Sequence, residues 1–213
     1  MSPFRHVEVP YFSQWASPDW VRPIVEEGAD PCDDPMWAVA GFEAPDEYRF
    51  WSWKTCGLAC LESVLSHWGF EVPSRADLVR SALTWGAYRK VGPNRAEGLT
   101  YGPFAEWVGS EFGLEAEVHR QLPLDEIADQ VDERSVVIVS VSPEIRYPDR
   151  PNVRRGGHLV LVHGWDADGL WFHNPSGVAS HQADAHIDLA TFGRFYAERG
   201  VRISFGGQSG GDQ

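Results

Sequence analysis

Cys56 is followed by Gly57 and the apolar run Leu58-Ala59-Cys60-Leu61. A cysteine at or just before the first turn of a helix has chemical use. Unpaired backbone N–H groups and the positive end of the helix dipole favour thiolate over thiol there, and a nearby imidazolium favours it further. Gly57 leaves the backbone open beside the sulfur, so that a substrate carbonyl can approach. A lone cysteine is more often a small buried apolar residue than a nucleophile, so the case depends on what else the chain supplies. Attack on an acyl carbon needs a base, an orienter for that base, and donors aimed at the developing oxyanion. In chain order, Gln14, Cys56-Gly57, His158 and Asn174 meet that need. Gln14 is the only glutamine before Cys56, hence the only neutral donor of that kind in the early chain.

Two elements must position these groups. From Leu58 the residues Leu58, Leu61, Leu65 and Trp68 recur at helical spacing, and Gly69 is a natural stop. The second element is Gly156-Gly157 followed by His158 to Trp165, an Asp166-Ala167-Asp168-Gly169 turn, and Leu170 to Pro175. Two β-rich runs around an aspartate–glycine turn predict a hairpin. A two-residue turn would set Asn174 against Leu161, so counting alone does not bring it to His158.

Elsewhere, Val7 to Phe12 alternates like a short strand edged by Pro10. Residues 18–53 read as irregular, broken by five prolines, rich in acids and tryptophans, and their aromatic content argues for packing as a flap over the cleft. The acids match no calcium-loop spacing and read as a solvated face. Helices are predicted for Arg75 to Ala82, Phe104 to Phe112, Leu124 to Val131 and Asp188 to Arg199, with a basic loop from Gly86 to Gly98. Leu114 to His119 and Val136 to Val141 are predicted strands, the latter covered on both faces. Val201 to Phe205 is expected as an edge strand and 206–213 as a frayed tail. The expected organisation is one domain over 1–205, an α+β fold with a helical N-terminal lobe, an antiparallel β-sheet C-terminal lobe, and the site at their seam.

Bulk properties narrow the field. The 213 residues carry a formal charge of −13, which disfavours nucleic acid and anionic membrane as partners. Three cysteines, two of them one helical turn apart, form no disulfide framework and fit a reducing, cytoplasmic compartment. No basic start precedes an apolar run, and no stretch is long enough to span a membrane. The sequence specifies no oligomeric state.

The order and local motifs resemble the papain-like cysteine peptidase superfamily, closest to stand-alone relatives of its bacterial double-glycine-leader (bacteriocin-processing) peptidases. The matching pieces are Val9-Pro10-Tyr11-Phe12-Ser13-Gln14, Cys56 to Leu61, and His158 to Trp165 ending at Asn174-Pro175. The resemblance implies Cys56 as nucleophile, His158 as base and then acid, Asn174 as orienter, and Gln14 as oxyanion donor with the Cys56 backbone N–H. It implies a peptide or amide substrate and neither cofactor nor metal. Three departures stand out: that branch usually has aspartate where Asn174 lies, often an acidic or amide residue where Thr55 lies, and a much shorter gap than Gln14 to Cys56.

Other readings compete. An acyltransferase or amide-forming enzyme uses the same four residues with a different acceptor, and a non-catalytic peptide-binding module would keep only the scaffold. Cys60 reads as core, and His163 and His173 as core or surface histidines. A zinc site built from these with Cys56 matches no common spacing.

Overall fold

The computed structural model describes residues 2–206. Strand β1 (Phe4–Arg5) is followed by helices α1 (Val21–Glu26), α2 (Pro45–Ser52), α3 (Cys56–His67) and α4 (Arg75–Thr84). A hairpin of β2 (Arg89–Gly92) and β3 (Arg95–Glu97) leads to α5 (Tyr101–Phe112). Strands β4 (Glu115–His119), β5 (Ser135–Val141), β6 (His158–Trp165), β7 (Leu170–His173) and β8 (Ala185–Ile187) follow, then α6 (Leu189–Gly193) and β9 (Tyr196–Ser204). The main sheet is antiparallel in the order β4-β9-β5-β6-β7-β8, with β1 pairing the far end of β6.

The period-two pattern of the central strands divides the core. Val136 and Ile138 of β5, Leu159 and Leu161 of β6, and Val201 and Ile203 of β9 face the helices and join Leu58, Leu61 and Leu65 of α3. Val137, Val139, Val160, Val162 and Phe172 face the other way, under Ile127, Ile145, Phe192 and Phe195. A strand covered on both faces reads as a continuous apolar run, which is what β5 does. The result is an α+β fold, helical in its N-terminal part and a β-sheet in its C-terminal part.

Several expectations are corrected. Val7 to Phe12 forms no strand, since Glu8 takes a positive φ and Pro10 has no N–H to donate. The basic loop at 86–98 is the β2–β3 hairpin. Leu124 to Val131 is a pair of 3₁₀ turns, Leu124–Glu126 and Ala128–Gln130, not a helix. The last helix is only Leu189–Gly193, because β9 begins at Tyr196 and runs between β4 and β5, a central position rather than an edge. Residues 18–53 are not irregular throughout. They contain α1 and α2 and bury Val21, Ile24, Phe42, Tyr48 and Trp51 in the helix-side core. The expected tail lies, from 207 on, outside the described residues. Among the described residues no helix is long and apolar enough to cross a membrane, and the three cysteines are free.

Candidate active site

Cys56 is the first residue of α3, where its neighbours' N–H groups are unpaired within the helix. Thr55, which precedes it, makes no side-chain cap; its Oγ1 instead accepts a hydrogen bond from Arg75 Nη1 at 3.1 Å. Helix α3 packs across the start of β6 through Leu159, so close that a Cβ on Gly57 would lie 2.8 Å from a Leu159 methyl. Glycine at this position lets the helix start approach the strand. Cys56 and His158 therefore line one cavity of about 680 Å³, together with Trp53, Tyr88, Leu99 and Tyr101.

The register of the β6–β7 hairpin brings Asn174 to His158. Trp165 pairs with Leu170 and Gly164 with Trp171, as a short turn requires, but Val162 then pairs with Phe172. His163 is thus an extra residue in β6, a β-bulge, and beyond it Leu161 faces His173. Continued, this register sets Asn174 opposite Val160, on the same side as His158. Without the bulge Asn174 would face Leu161 and sit on the wrong side. His158 Nε2 lies 2.8 Å from Asn174 Oδ1. The Ser176 backbone N–H also donates to that oxygen, at 3.2 Å. An oxygen with a second donor on it is an acceptor toward the ring, so Nε2 carries the proton and Nδ1 has the free lone pair.

The electrostatics differ from expectation. Burial pushes the Cys56 thiol up, although the N–H groups of Leu159, Gly57 and Cys56 itself pull the other way. Burial likewise lowers His158 to about 4, against the opposing effect of the Asn174 hydrogen bond. Desolvation outweighs the helix terminus for both groups, so burial favours a neutral thiol and a neutral imidazole over an ion pair. Cys60, one turn along, is buried with its Sγ 3.7 Å from the Leu159 carbonyl, and its thiol is raised well above the usual range.

Gln14 is not on the wall of this cavity. It lines a neighbouring one of about 300 Å³, with Thr55, Glu62 and Arg75. Its backbone N–H donates to the Pro175 carbonyl at 2.7 Å, and its carbonyl accepts from Arg75 Nη1 at 3.0 Å. Its backbone is thereby tied to the residue after Asn174 and, through Arg75, to the residue before Cys56.

Sequence reasoning missed the group that makes these ties. Arg75, on α4, pairs with Glu62 of α3 through Nε at 2.9 Å and through Nη2, and Nη2 also donates to the Ser13 carbonyl at 2.9 Å. Both side chains are buried. The available signal was Glu62, a carboxylate within an otherwise apolar helix, which demands a buried partner. Ser176 was also missed: its Oγ lies 3.2 Å from His158 Nε2 and accepts from Arg146 Nη2 at 2.8 Å.

Among the described residues, His163, His173 and Asp184 are the grouping that could ligate a metal, with ligand atoms within 4.8 Å of one another. It contains no cysteine. His173 Nε2 already meets the Val9 carbonyl, its Nδ1 accepts from the Asp184 N–H, and Arg5 pairs with Asp184 at 2.8 Å. The group is satisfied from within the protein, except for the ring of His163.

Residues 6–202 match the family described as Peptidase_C39 like family. No curated protein matches the sequence significantly. Among solved structures, a C39-like peptidase from Bacillus anthracis aligns over 97% of this chain and 99% of its own, with a TM-score of 0.58 at 11% identity. The peptidase domain of Streptococcus ComA, a bifunctional ABC transporter of a quorum-sensing pathway, aligns over 71% of this chain and 91% of its own, with a TM-score of 0.49 at 18% identity. A double glycine motif protease from an AMS/PCAT transporter, solved with its leader peptide, aligns over 72% of this chain and 86% of its own, with a TM-score of 0.47 at 15% identity.

Proposed function

Because the chain belongs to the Peptidase C39-like family, we propose that it is a thiol hydrolase that cleaves a peptide or amide bond through an acyl-enzyme on Cys56. The observation that carries this reading is one cavity lined by both the N-terminal residue of α3, Cys56, and the Asn174-bound imidazole of His158. With burial favouring the neutral form of both groups, His158 works as a general base during attack, not as one half of a preformed ion pair. Cys56 Sγ bonds to the carbonyl carbon as His158 Nδ1 takes the thiol proton. The oxyanion that forms is met by the Cys56 backbone N–H at the start of α3; Gln14, which lines the neighbouring cavity, is assigned no contact with it. Collapse breaks the C–N bond, and His158 returns the proton to the leaving amine. Water then adds to the thioester with His158 as base, the C–S bond breaks, and the acid leaves as the thiol re-forms. Asn174 holds the ring in the required tautomer throughout.

The test uses an N-acylglycine p-nitrophenyl ester, acid quench and peptide mapping. The acyl group is expected on Cys56, absent from Cys56→Ala and retained in Cys60→Ala. In ¹⁸O-water the released acid carries the label. Capture by added amines in preference to water would make the protein an acyltransferase. Acylation spread evenly over Cys32, Cys56 and Cys60 would sink the catalytic reading.

A further inference from the structure

We propose that the cavity holding Cys56 contains a carboxylate-binding subsite, centred on Arg199 and supported by Arg120 and Lys54, which selects a substrate bearing a carboxylate close to the bond attacked. The proposal rests on the reading above, in that Cys56 is taken as the group the substrate approaches.

The chain carries a formal charge of −13, yet Lys54, Arg120 and Arg199 line the cavity, with Glu97 as the one acid beside them. The charge of Glu97 is already answered by Arg89, 3.6 Å away. Among the described residues none of the three cations has a carboxylate within ion-pair distance. A cavity wall of net positive sign, on a chain of net negative charge, focuses the field on the ligand that enters.

Arg199 lies on the cavity wall beside Gly156. Gly156 takes a φ of +76°, and a Cβ there would lie 2.8 Å from Arg199 Nη2 and 3.2 Å from Ser140 Oγ. Arg199 and Ser140 both flank the Tyr101 phenol and oppose the upward push of burial on it. The guanidinium thus lies beside Gly156, Ser140 and Tyr101, close to the Gly157-His158 segment, on an exposed side chain that has no carboxylate partner among the described residues. A guanidinium is matched in shape and charge by a carboxylate. Lys54 is tied to the Phe50 carbonyl at 2.8 Å and lies over the Phe50 ring, so it adds potential rather than a contact.

The probe is a pair of alkylating agents that differ in charge, iodoacetate and iodoacetamide. The ratio of their rates at Cys56 is compared with that for N-acetylcysteinamide. At low salt the ratio at Cys56 is expected to exceed the free thiol's by about tenfold. It falls toward the free value at 1 M salt, where the screening length is about 3 Å. It also falls several-fold in Arg199→Gln and further in Arg199→Glu, with Arg120→Glu as a second variant should these fail to fold. A ratio at low salt equal to the free thiol's overturns the subsite.

Protection of Cys56 by short peptides identifies the source of the carboxylate. Better protection by N-acetyl-Gly-Glu-Gly-amide than by N-acetyl-triglycine amide assigns a side chain, and better protection by N-acetyl-triglycine with a free terminus assigns a chain end. Equal protection by all three overturns the proposal. Failure of the hydrolase reading looks different: His158→Ala would then leave the rate of Cys56 acylation by the p-nitrophenyl ester unchanged, while the charge ratio of the two alkylating agents could still be measured.

Discussion

His158 and His163 occupy the same strand and share most of their physical circumstances. Both are buried, at 4% and 0% exposure, and burial drives both toward the neutral form, to about 4 and about 2. They differ in partners. His158 has Asn174 and Ser176 on Nε2 and a cavity at hand. Neither ring nitrogen of His163 has a hydrogen-bond partner; after burial, the charges of its neighbours His173, Arg5 and His6 disfavour its own, against a smaller opposing effect of the His6 backbone. Desolvation alone makes an imidazole neutral; a partner that fixes the tautomer makes that neutral imidazole a usable base. His163 serves by its place in the chain, as the bulge that shifts the register by one and so delivers Asn174 to His158.

The largest expected effect tests that division directly. Replacing His158 by Gln should slow acylation of Cys56 by p-nitrophenyl esters about a thousandfold, the general-base contribution. His163→Leu should leave it within about twofold. A comparable loss in both would mean that the two sites are not separate.

Arg75 extends the comparison, as a buried charge whose partners are complete. Arg75→Ala leaves Glu62 buried and unanswered and frees the backbone at Ser13, Gln14 and Thr55. It is expected to cost about 3–5 kcal/mol in urea unfolding. Glu62→Leu with Arg75→Met should recover most of this, because the expense lies in the orphaned charge. If Arg75→Ala unfolds at the same urea concentration as the unsubstituted protein, the pair carries no structural weight.

How far the sequence reveals this arrangement follows from the same physics. The helix of Cys56, the fully buried β5 and the hairpin of His158 are legible because a strong hydrophobic period or an unbroken β-branched run specifies each. The His158–Asn174 contact is not legible, since it depends on one bulged residue that leaves no mark on the alternation. The Leu189 stretch reads as a long helix because Phe192 and Phe195 sit at a helical interval, while the pairing of β9 with β4 and β5 claims the chain from Tyr196 on. The helix start favours thiolate at Cys56, whereas burial, a quantity absent from local spacing, pushes the thiol up. Arg75 was missed because a basic residue after an N-capping serine looks like any exposed first turn.

Asn174→Asp sharpens the role of the orienter. With His158 at about 4, acylation should fall as pH drops through about 4, where the ring takes up a proton and can no longer accept one from the thiol. A carboxylate at position 174 favours imidazolium, so the acid limb of the pH–rate profile should move up by about 1–3 units, with activity retained at neutral pH. The amide Nδ2 of Asn174 is buried without a partner, so its loss breaks no hydrogen bond. An unmoved limb would show that a group other than His158 sets it.

The smallest effect concerns His163 as a liability of the fold. An unfolded histidine titrates near 6.5, whereas the folded His163 resists protonation to about 2. The unfolded chain therefore binds the extra proton, and the stability present above pH 6.5 is lost as pH falls. Between pH 7 and pH 5 this one group accounts for about 2 kcal/mol. His158 and His173, also held below their usual value, add to the same slope. His163→Leu should fill the buried space at the bulge, leave neutral stability little changed, and remove about one proton from the slope of unfolding free energy between pH 6.5 and 5. An unchanged slope would mean that the His163 ring finds a proton-accepting partner in solution, with Asp184, 3.3 Å away, the nearest candidate.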